Sequence, residues 1–154
     1  MPDLPVRPGP RPTTSTGIPH TQLDQQPAFS RTDAILDAAL QSFAGVHEAP
    51  SRISVPGARA LLVDDQSAQG PAEAFLIGHE FAHVHPGPDH SLHLTLPPEL
   101  AGQAHASGWG EPHVLVASGA LPDTVVMIYA PRDDLESNVV STLLHASYFY
   151  ATRP

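Results

Sequence analysis

Hydrophobic residues follow a helical period along the first patterned part of the chain, which begins near residue 30. Ser30 or Thr32 can cap this helix, because a side-chain hydroxyl accepts a hydrogen bond from an amide of the first turn. Apolar residues then recur at helical spacing, at Ile35, Leu36, Ala39, Leu40 and Phe43. Gly45 is a typical stop, so the pattern predicts a helix that ends just before it.

Short apolar or β-branched runs replace the helical period after this helix. Residues 52–55 and 60–63 are two such runs, and the Pro-Gly sequence between them predicts a hairpin. From residue 72 to residue 96 the pattern stays extended, with Gly78 as a turn or bulge and a Pro-Gly-Pro loop at residues 86–90. We therefore expect two or three further antiparallel strands in this stretch.

The last third of the chain predicts a helix, a strand and a second helix. Prolines 97 and 98 suit the first turn of a helix that Gly108 ends, and residues 124–130 (TVVMIYA) form the clearest strand, which we place centrally in the sheet. Asp133 and Glu136 have capping-box spacing. One apolar helical face follows, comprising Leu135, Val139, Leu143, Ala146 and Tyr150. The order of elements predicts a single α+β domain over residues 30–154, a two-layer arrangement with helices packed on an antiparallel sheet.

Residues 1–29 are rich in proline and lack any apolar period. Proline has no amide donor and restricts the residue before it, so regular structure is disfavoured throughout this segment. The composition predicts a disordered, proline-rich N-terminal tail outside the domain.

The charge of the chain excludes several functions. Seven basic residues, all of them arginine, face sixteen acidic ones, for a net charge of −9. Without a basic stripe, the chain is not expected to bind nucleic acid or an anionic membrane. No run approaches the roughly 18 apolar residues of a membrane helix, and cysteine is absent, which excludes disulfides and thiolate sites. We expect a cytoplasmic protein.

Ten histidines are present, and five of them lie between residues 79 and 93. The sequence His79-Glu80-Phe81-Ala82-His83 matches the HExxH pattern, in which a helix presents two zinc-binding histidines. Gly78 and the Pro-Gly-Pro loop leave no room for such a helix, and the residues between them alternate as a strand does. A β-hairpin is the favoured interpretation.

In that hairpin the strand period places Phe81, His83 and His85 on one face, and Glu80, Ala82 and Val84 on the other. With residues 86–90 as the loop, His85 pairs with Ser91 and His83 lies across from His93. Three imidazoles then share one face. They suit a divalent transition metal, a metal-free ligand or catalytic site with one histidine as general base, or a polar sheet face without further function.

Residues outside the hairpin are further candidates for ligand binding. Trp109 lies between two glycines and either turns toward a pocket or packs in the core. Glu111 and His113 share strand parity and can supply a supporting carboxylate and a fourth imidazole. Arg132 can pair with a neighbouring aspartate or with a ligand carboxylate.

Five ordered blocks stand out along the sequence, namely FAHVHP at 81–86, DHSLHL at 89–94, LPPEL at 96–100, GWGEPH at 108–113 and MIYAPRD at 127–133. In this order they resemble the luciferase-domain family, which includes the fungal luciferases. In the fungal enzymes, the resemblance implies, a hydroxylated pyrone reacts with molecular oxygen, loses carbon dioxide and emits light without an organic cofactor. It also implies importance for His83, His85, His93 and the block from Trp109 to His113.

Together these features lead to one main hypothesis and two alternatives. We expect a luciferase-like protein that binds a phenolic or enolic small molecule beside His83, His85 and His93, as a cofactor-free oxygenase. One histidine would remove a proton and the others would stabilise the anion. The alternatives are a ligand-binding or interaction module without catalysis, and an enzyme with a divalent metal held by the histidines.

Overall fold

Six antiparallel strands form one open sheet in the computed structural model, which describes residues 2–154. The strands are β1 (Val46–Pro50), β2 (Arg59–Val63), β3 (Glu80–Val84), β4 (Leu92–Thr95), β5 (Gly110–Pro112) and β6 (Val125–Ile128). Their order across the sheet is β1-β2-β3-β4-β6-β5, so the chain crosses over to insert β6 beside β4. The predicted α+β class is confirmed.

Three α-helices accompany the sheet, namely α1 (Arg31–Ser42), α2 (Pro98–Ala106) and α3 (Asp134–Thr152). Ser30 caps α1 by accepting a hydrogen bond of 2.9 Å from the Asp33 amide, and Asp133 caps α3 by accepting one of 2.9 Å from the Glu136 amide. Both caps are where the sequence predicts them, because the short polar side chain is the local partner for an otherwise free amide.

The helices cover one face of the sheet and share a single hydrophobic core with it. α1 and α3 contact each other and β3, while α2 contacts β5. The buried stripe of α3 runs through Val140, Leu143, Leu144, Ser147 and Ala151. The apolar face predicted for this helix is therefore displaced by about one residue, and Leu135 is 78% exposed.

Two details of strand placement differ from the sequence prediction. The hairpin partner of β2 is β1 at residues 46–50, on the side away from β3, and residues 51–58 form the loop between β1 and β2. Residues 52–55 cannot extend β1, because the Arg52 amide donates to the Glu80 carboxylate instead of to a strand neighbour. The short strand β5 was not predicted; it pairs with β6, which makes β6 an internal strand one place from the edge.

The N-terminal segment, residues 2–29, packs on the domain, whereas the sequence predicts a disordered tail. Arg7, His20 and Gln22 are each less than 5% exposed. The Arg7 amide donates to the Ser107 carbonyl, and the Gln22 side chain accepts a hydrogen bond from the Ala130 amide. Its large apolar side chains Val6, Ile18, Leu23 and Phe29 stay exposed, so polar side chains and backbone supply the contacts, which a composition argument does not detect.

In the part of the chain that the structure describes, none of the helices combines the length and apolarity needed to cross a bilayer.

Replacement by alanine is expected to have opposite effects on stability at two glycines. A Cβ at Gly110 would overlap the carbonyl oxygen of Met127 on β6, whereas one at Gly102 in α2 meets no atom within 4 Å. We expect Gly110→Ala to lower the free energy of unfolding by roughly 1–3 kcal/mol through overpacking. Gly102→Ala should raise it by up to about 1 kcal/mol through helix propensity. Urea denaturation measures the free energy of unfolding of both variants. Equal changes in the two variants would contradict the close packing of β5 on β6.

Candidate functional site

Three stacked imidazoles form the centre of the sheet face opposite the helices. His83 on β3 pairs directly with His93 on β4, and the His85 amide donates to the Ser91 carbonyl at 3.0 Å, as the hairpin interpretation predicts. The ring centroids of His83 and His93 are 5.1 Å apart, and those of His85 and His93 are 4.1 Å apart. All three side chains are nearly buried, at 5%, 4% and 2% exposure in chain order.

A β-bulge at the start of β3 reverses two of the predicted side-chain directions. Ala82 pairs with Leu61 and Glu80 pairs with Leu62, so Phe81 has no partner on β2. Phe81 consequently lies in the helix-side core, and Glu80 turns to the histidine face, where strand alternation alone would not place it. The sequence signal was present, since Phe81 is apolar although the alternation of residues 82–85 would place it on the face of His83 and His85.

Glu80 and His83 form a buried carboxylate–imidazole pair. His83 Nδ1 lies 2.8 Å from Glu80 Oε2, and the Ser51 hydroxyl donates to the same oxygen at 2.8 Å. The proton of neutral His83 is therefore on Nδ1, which leaves the Nε2 lone pair free of any hydrogen bond to residues 2–154. Burial lowers the pKa of His83, although the bond to Glu80 opposes this effect.

His85 has the same arrangement with a different carboxylate, that of Asp89 in the loop between β3 and β4. His85 Nδ1 lies 2.6 Å from Asp89 Oδ2, and His85 Nε2 lies 2.9 Å from the Ser54 hydroxyl. Burial would raise the pKa of Asp89, but hydrogen bonds from His85 and Ser91 outweigh it and hold the pKa below its usual value. Neither Asp89 nor Ser54 was a sequence candidate, because both lie in loops whose folded path the strand pattern does not specify.

His93, between the other two rings, has no carboxylate partner. Its Nε2 lies 3.2 Å from the hydroxyl of the fully buried Ser91. Burial, together with the neighbouring His85 and His83, lowers the pKa of His93 well below 6.5. His93 is thus a neutral imidazole at physiological pH.

The N-terminal segment adds a histidine that sequence reasoning missed, His20. Its ring meets the edges of His93 and His113 at centroid distances of 5.9 and 5.1 Å. His20 Nε2 lies 2.9 Å from Glu111 Oε2, while its buried Nδ1 has no partner among residues 2–154. His20 is not among the sequence candidates, because a proline-rich leader gives no indication that it folds back onto the sheet.

Glu111, on the edge strand β5, supports the site from behind His20. Its Oε1 accepts a hydrogen bond of 2.7 Å from the Tyr129 hydroxyl, and Thr14 donates to its Oε2 at 2.9 Å. Burial would raise the pKa of Glu111, but the hydrogen bonds from His20, Tyr129 and Thr14 lower it overall. The supporting carboxylate that the sequence suggested is present, but its direct partner is His20.

His113 lies just beyond β5 and lines the cavity described below. The Leu115 amide donates to His113 Nδ1 at 3.1 Å, so neutral His113 holds its proton on Nε2. Burial, with the neighbouring His20, His83 and His85, lowers the pKa of His113 to about 4. His113 is a hydrogen-bond donor that carries no charge at pH 7.

A cavity of about 370 Å³ opens above the histidines. Its polar lining consists of the imidazoles of His20, His83, His85, His93 and His113 and the hydroxyl of Ser54. Apolar side chains make up the remaining walls, namely Ile18, Pro19, Ile53, Val55, Leu76, Leu115, Leu121 and Val125. No arginine lines it, so its polar groups are imidazoles and one hydroxyl set among apolar walls.

Trp109 and Arg132 lie outside the cavity lining, although the sequence analysis included them as ligand-binding candidates. Trp109 is 3% exposed within the helix-side core, and its indole N–H donates to the Pro5 carbonyl at 2.6 Å. Arg132 Nη2 lies 2.6 Å from Glu136 Oε2, and the same nitrogen donates to the Pro8 carbonyl. Both residues fasten the N-terminal segment to the domain and do not line the cavity above the histidines.

The three stacked histidines could hold a metal ion only after rearrangement. One ligand atom from each of His83, His85 and His93 lies within 4.8 Å of the others. The ring planes of His85 and His93, however, are inclined by only 14°, and their centroids are 4.1 Å apart. The in-plane lone pairs of the two rings are therefore nearly parallel and do not converge on one ion. The Nε2 atoms of these two rings also face serine hydroxyls.

The model of the luciferase-domain family matches residues 78–147. Luciferases of Armillaria mellea and Armillaria ostoyae are each 30% identical over 166 aligned positions, covering 99% of this chain and 62% of each fungal protein. A luciferase of Neonothopanus nambi is 36% identical over 75 positions, 47% of this chain and 28% of that protein. The chain thus spans less than two thirds of the length of its fungal relatives. No solved structure matches it.

We expect the free energy of unfolding to fall as the pH is lowered from 6.5 towards 4. Unfolded histidines take up protons in this range, whereas the lowered pKa values of His83, His93 and His113 keep the native imidazoles neutral. Each proton that the unfolded state binds and the native state does not lowers the free energy of unfolding by at most about 1.4 kcal/mol per pH unit as the pH falls. Urea denaturation near pH 7.5, 6 and 5 measures the slope. His93→Gln should flatten it, and the exposed control His105→Gln should not.

Proposed function

The chain belongs to the luciferase-domain family, and from that premise we propose that it is an oxygenase of a small phenolic or enolic compound. The observation that carries the proposal is the Glu80–His83 pair, which leaves Nε2 without a hydrogen bond in a ring that lines the cavity. This arrangement is suited to removing an acidic proton from a bound, uncharged ligand.

The cavity favours a compact and largely apolar ligand. Its volume of about 370 Å³ lies within the range of small-molecule sites, which is roughly 300–1,000 Å³. With no arginine in the lining, a ligand that enters as an anion gains no ion pair, whereas a neutral phenol or enol becomes an anion only by passing its proton to the protein. The lining therefore supports a weak acid as the substrate.

We assign proton removal to His83. Its Nδ1 proton is held by Glu80, so the imidazolium that forms when Nε2 takes a second proton is stabilised by the adjacent carboxylate. His85 has a comparable carboxylate in Asp89, but its Nε2 already accepts from Ser54. Of these two carboxylate-linked rings of the stack, His83 is thus the one with an unoccupied basic nitrogen.

Neutral imidazoles on either side can stabilise the resulting anion. His113 holds its proton on Nε2 and can donate it as a hydrogen bond, since its Nδ1 is occupied by the Leu115 amide. His93 lies against both carboxylate-linked rings and remains uncharged. Fixed donors in an enclosure that excludes water stabilise a developing anion more effectively than water does. An electron-rich enolate held in this way can react with molecular oxygen without a bound cofactor.

A ligand-binding module without catalysis is the competing function, because the same cavity could hold a ligand that never loses a proton. The two functions differ in whether His83 Nε2 takes up a proton during turnover. Substitution of His83 distinguishes them, since binding depends on the whole cavity and turnover depends on that nitrogen.

We expect His83→Gln to reduce turnover by roughly 10²–10⁴-fold, the usual contribution of a general base, with ligand affinity changed only a few-fold. Oxygen uptake with hydroxylated pyrones and related phenols measures turnover, and calorimetry measures binding. His105→Gln, an exposed histidine on α2, is the matched control and should behave as wild type. Tight binding by the wild type without oxygen uptake on any of these compounds would favour the non-catalytic module.

The metal alternative has a separate test. We expect protein purified without a histidine tag to contain well below one equivalent of zinc, iron, copper or nickel, because the His85 and His93 rings stack with their lone pairs side by side. Elemental analysis of the purified protein measures the content directly. Stoichiometric metal that is lost in His93→Gln would show that the rings rotate to bind an ion, and would replace the cofactor-free mechanism.

A further inference from the structure

Ser54, His85 and Asp89 lie in a hydrogen-bonded row that the proposed oxygenation does not use. The Ser54 hydroxyl is 2.9 Å from His85 Nε2, and His85 Nδ1 is 2.6 Å from Asp89 Oδ2. The carboxylate accepts the Nδ1 proton, so the unprotonated Nε2 faces the serine hydroxyl as an acceptor. Ser54 and His85 both line the cavity, and Asp89 lies behind the ring.

Each member of the row is positioned by the surrounding structure. Asp89 Oδ1 accepts hydrogen bonds from the Ser91 amide at 3.1 Å and the Gln22 amide at 3.2 Å, which directs Oδ2 at His85. The loop that carries Ser54 is closed at its base, where the Ser51 amide donates to the Ala58 carbonyl at 3.0 Å. A serine hydroxyl, an imidazole and a buried carboxylate in this order have the geometry of a nucleophile with its base and orienting group.

We propose that Ser54, His85 and Asp89 form a catalytic triad that hydrolyses a small uncharged ester bound in the same cavity. This activity is independent of the proposed oxygenation, in which His83 takes the proton. It depends on Ser54 Oγ as the nucleophile and on His85 Nε2 as the base.

The reaction proceeds in two balanced steps. Ser54 Oγ attacks the ester carbonyl carbon while its proton passes to His85 Nε2; the bond from that carbon to the alkoxy oxygen then breaks, and the leaving alcohol takes the proton from His85. Water next attacks the acyl-serine carbonyl carbon and gives a proton to His85. The bond from the acyl carbon to Ser54 Oγ breaks, and the proton returns to the serine.

Donors for the negative charge on the carbonyl oxygen are available beside the nucleophile. The backbone amides of Ser54 and Val55 donate to no group of residues 2–154, and both residues line the cavity. Free amides next to an attacking serine are the usual components of an oxyanion hole. No arginine lines the cavity, which favours an uncharged ester over a phosphate or carboxylate-bearing one.

A serine-directed fluorophosphonate probe tests the nucleophile. We expect a covalent adduct on Ser54, located by peptide mass spectrometry, together with hydrolysis of p-nitrophenyl acetate. Ser54→Ala should lose the adduct and at least about 100-fold in kcat/KM for the ester. Ser42→Ala, an exposed serine on α1, is the control and should retain both. Absence of an adduct on Ser54 in the folded wild type would overturn the triad.

A second variant keeps the test decisive if Ser54→Ala does not fold. The chain has no cysteine, so Ser54→Cys and Ser42→Cys each introduce a single thiol. We expect the thiol at position 54 to be alkylated by iodoacetamide with a midpoint below the ordinary value of about 8.5, because His85 supports the thiolate. Identical pH profiles for the two thiols would reject the triad. Oxygen uptake dependent on His83 would then remain, so failure of the two proposals is distinguishable.

Discussion

The antiparallel pairing of β3 with β4 is the constraint on which the rest of the site depends. Because side chains alternate along a strand, one register places His83 opposite His93 and aligns the leucines of β4 with the helix-side core. A shift by one residue would bury the imidazoles among the helices and expose the leucines. The hydrophobic core therefore fixes the register, and the register assembles the imidazoles.

Burial of so many imidazoles requires polar partners, and the structure supplies carboxylates from separate parts of the chain. Glu80 reaches His83 through the β-bulge, Asp89 reaches His85 from the hairpin loop, and Glu111 reaches His20 from the edge strand. An unpaired buried polar group costs free energy, so these hydrogen bonds also fix which nitrogen of each ring holds the proton. The tautomers that satisfy the carboxylates leave the second nitrogen of each of these rings without a carboxylate partner, and all three rings line the cavity.

Hydrogen bonds also hold the N-terminal segment over the histidine face of the sheet. Apolar side chains from the helices close one side of the sheet, whereas the other side is covered by the N-terminal segment and by loops. The Gln22 backbone amide donates to Asp89, and its side chain accepts from the Ala130 amide. The Arg7 backbone amide donates to the Ser107 carbonyl. The segment thus shapes the cavity and contributes His20. The alignment with the Armillaria luciferases, which covers 99% of the chain, includes this segment as well.

The sequence by itself determined the helix caps, the hairpin loop and the register of the central imidazoles, but not the bounds of β1 or the presence of β5. Caps at Ser30 and Asp133, the loop at residues 86–90 and the pairing of His83 with His93 follow from spacing alone, since each depends on neighbours a few residues away. The carboxylate partners of the histidines, the place of His20 and the row from Ser54 to Asp89 were decided only by the tertiary structure. These contacts join distant or irregular segments, and no periodic pattern encodes where a loop or an extended leader comes to rest on a sheet.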